Sequence, residues 1–141
     1  MDRKTLILLE GKTKEEIAEY FGVRTKLPSF VAKDDFDEKL SDNSRWTFSK
    51  KYLLRDLHGD VIETPKQAIY RLARTLAEIE KQYGASGEEI ERWTEKFYRV
   101  IASKAFTPGG RVWTNAGTHI TGLFNCYVLP VHDSLEDIYE S

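Results

Sequence analysis

At 141 residues, with 40% apolar and 12% aromatic side chains, the chain has the length of one domain with a modest core and is too apolar for wholesale disorder. A formal net charge of −2 offers no global attraction for a nucleic-acid backbone, so no nucleic-acid polymer is expected as a partner. One cysteine excludes an internal disulfide and suits a reducing compartment, which makes the cytoplasm the expected location.

The first ten residues hold only four large apolar residues in a row, Leu6-Ile-Leu-Leu9, too few for a signal segment or a membrane span. Thr13-Lys-Glu-Glu16 has the spacing of a capping box, and Ile17, Ala18 and Phe21 share one face before Gly22 stops the helix. Thr13–Val23 also resembles the first helix and turn of a helix-turn-helix DNA reader, which would need a recognition helix next. Arg24-Thr-Lys-Leu-Pro28 interrupts that pattern.

Asp34–Ser44 is polar and weakly helical, with Phe36 and Leu40 four apart. Trp46–Leu57 fits neither the helical nor the strand period, and His58-Gly59-Asp60 is a turn. Thr64-Pro65-Lys66-Gln67 combines an N-cap, a proline at the first helical position and a glutamine closing the box. The helix it opens carries Ile69, Leu72, Leu76, Ile79 and Tyr83 on its apolar stripe and closes at Gly84. Ser86-Gly-Glu-Glu89 opens a second long helix with Ile90, Trp93, Phe97, Val100 and Ile101 as its stripe. A tight connection at Gly84 implies that the two pack antiparallel.

Pro108, Gly109 and Gly110 break the helical pattern. Leu123–Leu129 is apolar and β-prone, and Ser134 with Asp137 starts a last helix whose Leu135 and Ile138 imply a buried face. So short a helix cannot bury that face alone, so the stop at Ser141 is expected of one piece of a larger architecture.

Taken without a family in mind, Cys126 is a small hydrophobe of the kind most often buried, and Asn125 a residue that bonds to backbone. Asp133 and Ser134 suit helix capping. His119, Cys126 and His132 lack the spacing of a zinc site, so no metal is expected, and no phosphate-cradling glycine motif is present.

The run Phe106-Thr-Pro-Gly-Gly-Arg111, followed by Thr114-Asn-Ala-Gly-Thr118 and Asn125-Cys-Tyr-Val128, resembles the substrate-binding start of the ribonucleotide reductase large subunit. The adenosylcobalamin-dependent class is the most similar. Tyr52-Leu-Leu-Arg-Asp-Leu-His-Gly-Asp-Val-Ile-Glu-Thr-Pro65 and Ile69-Tyr-Arg-Leu-Ala73 resemble the approach to, and the start of, that family's first long helix. The likeness runs from about residue 40 to 141 in the family's order.

The resemblance implies a mainly α fold. Residues 1–105 would form the helical N-terminal domain, and 106–141 the first strand and helix of the ten-stranded α/β barrel. It implies reduction of ribonucleotides to deoxyribonucleotides by thiyl-radical chemistry, with Cys126 as one member of the cysteine pair that becomes a disulfide. Thr114, Asn115, Ala116, Gly117 and Asn125 would lie along the substrate ribose and phosphates. Asp133, Ser134 and Leu135 would hold an ATP or deoxynucleotide effector. With one cysteine in the chain, the remaining thiols and the adenosylcobalamin would belong to a remaining reductase catalytic chain, served indirectly by a thioredoxin-type reductant. Alone, this chain would be inactive. A regulatory or assembly module that binds effector nucleotide or a reductase chain without the chemistry is the other expectation, and it needs no thiol at Cys126.

Overall fold

The computed structural model describes residues 11–56, 58–120 and 122–140, so the Leu6–Leu9 run, Leu57 and Ser141 lie outside the described residues. The fold is helical throughout: α1 Lys14–Tyr20, α2 Ser29–Ala32, α3 Asp42–Thr47, α4 Pro65–Ala77, α5 Gly87–Ala102, α6 Gly110–Asn115 and α7 Leu135–Glu140. No strand is formed among the described residues; an isolated antiparallel bridge joins Arg55 and Val61 across the 58–60 turn.

Three helices begin as their local signals dictate. Thr13, Thr64 and Ser86 each accept the amide three residues on, and Glu16, Gln67 and Glu89 reach back to the cap amide. The first turn of α4 has a further clasp, because the Lys66 amide donates to Asp37 Oδ1 at 2.8 Å. This ties the 34–40 turns to α4 and buries Phe36 and Leu40. Those two residues are core, as their spacing suggests, yet 36–39 is a run of turns, and helix resumes only at α3 behind its Ser41 cap.

The segment of mixed period proves to be α3 continuing into a π-helical turn, Phe48–Tyr52. Phe48 and Tyr52 pack on Trp113, with ring centroids 5.3 and 6.2 Å away. The wider turn lets both rings reach one indole from a single helix edge.

α4 is the central helix, with Ala68, Ile69, Tyr70, Arg71, Leu72, Ala73 and Ala77 all buried. It packs antiparallel on α5: Arg74 near its end pairs with Glu91 near the start of α5, while Phe30 wedges between Tyr70 and Tyr98. Two expectations about the stripes need correction. Ile79 and Tyr83 are exposed, because the chain tightens at Glu78 into a 3₁₀ segment, Glu78–Tyr83, beyond the edge of the core. On α5, Trp93 and Val100 sit at the rim, and the buried line is Ile90, Thr94, Tyr98 and Ile101. Thr94 is tolerated there because its hydroxyl donates to the Ile90 carbonyl at 2.8 Å. Burial, with the Asp34 and Asp37 charges behind it, pushes the Tyr98 hydroxyl above its ordinary pKa, so it stays neutral.

The helix-turn-helix expectation fails on geometry. After α1 the chain turns through Gly22 into α2, a helix of 4 residues, too short to lie along a major groove as a recognition helix. No helix among the described residues is long and apolar enough to cross a membrane.

Candidate functional site

Immediately after the Pro108-Gly-Gly break the chain forms a helix that the sequence pattern did not announce. α6 is held down by Trp113, which is buried against Phe48 and Tyr52. Asn115, 5% exposed, closes the loop that follows. Its Oδ1 accepts the Thr114 hydroxyl at 2.8 Å, its Nδ2 donates to the Gly122 carbonyl at 2.6 Å, and its own carbonyl accepts the Thr118 amide at 3.0 Å. Ala116 is buried, and Gly117 turns the chain with φ +75°. Thr114, Asn115, Ala116 and Gly117, predicted together, thus form one helix end and turn with Trp113 as its anchor.

Behind this turn lies an ion pair that sequence reasoning missed. Arg71 on α4 grips Glu63 with a two-pronged contact, Nε to Oε2 at 3.0 Å and Nη2 to Oε1 at 2.7 Å, and both side chains are shut off from solvent. Arg71 also donates to the Trp113 carbonyl at 3.1 Å and to the Ala116 carbonyl. Those carbonyls lie at the end of α6, where a helix runs out of its own donors. Glu63 in turn accepts the Leu54 amide at 2.9 Å. A charged residue amid the apolar run Ile69-Tyr-Arg-Leu-Ala73 was the available signal; its partner, eight residues upstream, was not marked by any motif.

α1 reaches the same turn. A Cβ added at Gly22 would overlap the Gly117 carbonyl oxygen, so the two backbones touch where no side chain fits. Gly22→Ala is therefore expected to destabilise the chain by more than Gly59→Ala. Both residues have φ near +90°, at +90° and +87°, but Gly59 has open space around it. Gly59→Ala should cost about 1–2 kcal/mol for the left-handed backbone, and Gly22→Ala that amount plus the undocking of α1. Urea unfolding of the two variants checks this, and equal losses would refute the contact.

Asn125 is drawn to the same helix: its Oδ1 accepts the Arg111 amide, at the start of α6, at 3.0 Å. The substrate candidates at 114–117 and 125 are therefore joined to opposite ends of α6. Cys126 is exposed, which overturns its assignment as a buried small hydrophobe. Leu123–Leu129 has no strand partner among the described residues, and Phe124, Tyr127, Val128 and Leu129 stand in solvent. An apolar run forms a strand only where a neighbour supplies the ladder.

Asp133, Ser134 and Leu135 make no hydrogen bond or ring contact with α6 or its turn among the described residues. Ser134 caps α7 by accepting the Asp137 amide at 3.1 Å, and Asp137 accepts the His132 amide at 3.2 Å. The capping role thus falls to Ser134 and not to Asp133, which is exposed without a partner there. Leu135 and Ile138, expected to face a core, are 70% and 54% exposed.

The described clefts are small and charged. One of about 400 Å³ lies beneath the turn, between Arg24, Arg74, Glu19 and Glu78, and another of about 540 Å³ is lined by Lys33, Asp35, Glu95 and Arg99. Two more, of about 430 and 510 Å³, carry Ala18, Val61 and Ile62, and Phe36 and Ala102, beside charged side chains. None of these four is the wide apolar slot that a corrin ring would need, so these clefts do not fit adenosylcobalamin. No group of three or more potential metal ligands gathers among them.

A helical domain is also what the comparisons with known proteins identify. The family described as "Ribonucleotide reductase, all-alpha domain" matches residues 38–121. The chain belongs to the ribonucleotide reductase family. It is 34% identical over 101 residues to a vitamin B12-dependent ribonucleoside-diphosphate reductase of Mycobacterium tuberculosis, a match covering 72% of this chain and 14% of that enzyme. To the enzyme of the same name from Thermoplasma acidophilum it is 25% identical, over 94% of this chain and 25% of that protein. A ribonucleoside-diphosphate reductase large chain of Neurospora crassa is 32% identical over 67% of this chain and 9% of its own length. The chain thus spans a quarter or less of these relatives. No solved structure matches it.

Proposed function

We propose that this chain is the N-terminal piece, or a split subunit, of a ribonucleoside-diphosphate reductase that acts by thiyl-radical chemistry in the cytoplasm. The observation that carries this is the clasp of Asn125 onto the Arg111 amide. It brings the residue before Cys126 to the helix whose far end is the Thr114–Gly117 turn.

In this role the turn and Asn125 line the ribose and phosphates, and Cys126 presents its exposed thiol as one member of the redox pair. Asp133, Ser134 and Leu135 contribute to an effector site for ATP or deoxynucleotides, completed by neighbouring chain. The apolar segment Leu123–Leu129, exposed from Phe124 onward, enters the barrel as its first strand, and α7 follows as its first helix. The partner is the remaining catalytic chain, which brings the radical cysteine, the second redox cysteine and the shuttle cysteines that meet a thioredoxin-type reductant. Adenosylcobalamin, where it serves, binds that chain and supplies the radical.

The test is an assay of cytidine di- and triphosphate reduction with adenosylcobalamin and dithiothreitol. It is run on the purified chain and on the tagged chain recovered from its source extract with the cysteine-bearing reductase chain it captures. Deoxynucleotide from the assembly and none from the chain alone is the expected result. Turnover by the chain alone, or an assembly without turnover, would overturn the proposal.

A further inference from the structure

Arg71 carries a charge that the proposed chemistry does not use, in a place where a charge is costly. Its side chain is 1% exposed, and Glu63, itself fully buried, neutralises it through two hydrogen bonds. A guanidinium so enclosed cannot meet a substrate phosphate directly. Four of its five N–H groups are committed, two to Glu63 and two to the carbonyls of Trp113 and Ala116.

Holding a carbonyl fixes the amide on the other side of the same peptide. In a trans peptide the C=O of one residue and the N–H of the next point in opposite directions. With the Ala116 oxygen drawn inward to Arg71, the Gly117 N–H points outward. Gly117 is exposed, and its amide donates to no acceptor among the described residues, whereas the next amide, of Thr118, is taken by the Asn115 carbonyl. The inner face of Gly117 is full: a Cβ there would come within 2.7 Å of Thr75 Oγ1 and 2.8 Å of Arg71 Cγ. The turn therefore cannot slide inward, and the peptide can change its facing only if the Ala116 carbonyl leaves Arg71.

We infer that Arg71 is a positioning residue, which, by gripping the Trp113 and Ala116 carbonyls from inside the core, presents the Gly117 amide to a phosphate oxygen of the substrate. The inference rests on the reductase role proposed above. It adds that the phosphate-facing geometry of the turn is set by α4, more than forty residues upstream, through a pair that never touches substrate. Glu63 holds the guanidinium in the plane from which it reaches both carbonyls.

Arg71→Lys tests this, because lysine keeps the charge beside Glu63 and cannot span two carbonyls and a carboxylate at once. In the active assembly the KM for the nucleotide should rise on the order of tenfold or more, the loss expected when a hydrogen bond to a charged group goes. kcat should stay within about a factor of two, the pattern of lost ground-state binding. A purely structural brace would lower thermal stability and leave KM unchanged, and that result overturns the inference.

A second measurement needs neither turnover nor the variant's folding. In the wild-type chain labelled with ¹⁵N-glycine, nine glycines give few signals, and inorganic pyrophosphate should shift the Gly117 amide in a saturable way. A Gly117 signal indifferent to pyrophosphate overturns the inference even where the assembly reduces nucleotides. A saturable Gly117 shift in a chain that never supports turnover would instead discard the reductase role while leaving the anion-facing amide standing.

Discussion

Glu63→Ala is expected to remove about 3–5 kcal/mol of folding stability, the scale found when one partner of a buried ion pair is deleted. Arg71 would be left as a buried charge with no counter-charge in a helix whose neighbours are apolar. The Leu54 amide would lose its acceptor as well. Against a total stability of about 5–15 kcal/mol for a domain of this kind, such a loss removes a large share of the margin against unfolding. The double variant Glu63→Leu with Arg71→Met should recover part of the loss, since it removes both charges together. Recovery will be incomplete, because the Trp113 and Ala116 carbonyls lose their donors. Urea unfolding of Glu63→Leu, Arg71→Met and the double variant gives the coupling energy directly. A Glu63→Ala loss below about 1 kcal/mol would show that the pair is not buried as described.

How much of this was legible in the sequence depended on whether the determining contact is local. α1, α4 and α5 announce themselves because a capping box closes within four residues. The orientation of α5 does not, because Trp93 and Thr94 are adjacent and only the partner helix decides which of them faces inward. Apolarity favoured Trp93; the Thr94 hydroxyl, satisfied by its own helix, reversed the order. The π-helical turn at Phe48–Tyr52 and the helix at Gly110–Asn115 were missed for one shared reason. Each depends on Trp113 meeting Phe48 and Tyr52, some sixty residues apart in the chain, and a Gly-Gly start hides helix from any propensity argument.

The candidate site was legible only through resemblance. No local chemistry marks Asn125 or Cys126, and what the fold adds is the clasp to Arg111 and the exposure of the thiol. The Glu63–Arg71 pair was invisible because its meaning lies in what it holds: two carbonyls that the chain reaches only after passing through α5.

Cys126→Ser is expected to abolish turnover of the assembled enzyme while leaving the fold and the capture of its partner chain unchanged. The stability part follows from exposure: Cys126 makes no hydrogen bond among the described residues and is not part of the core, so a change of one atom should shift stability by no more than about 0.5 kcal/mol. The turnover part follows from electron balance. In the proposed reaction one ribonucleotide and two thiols give one deoxyribonucleotide, one disulfide and one water, so the pair supplies both electrons and both members must be thiols. A serine hydroxyl forms no S–S bond, and this chain has no second cysteine to take its place. Deoxynucleotide formation with dithiothreitol should fall to the level seen without enzyme, while a pull-down of the partner reads as wild type. The assembly-module alternative gives the opposite result, turnover untouched by the substitution, because every reacting thiol would then sit on the partner. Asn125→Ala separates position from chemistry at the same place. It removes the clasp on Arg111 together with the proposed substrate contact of Asn125 but spares the thiol, so turnover should be reduced and not abolished.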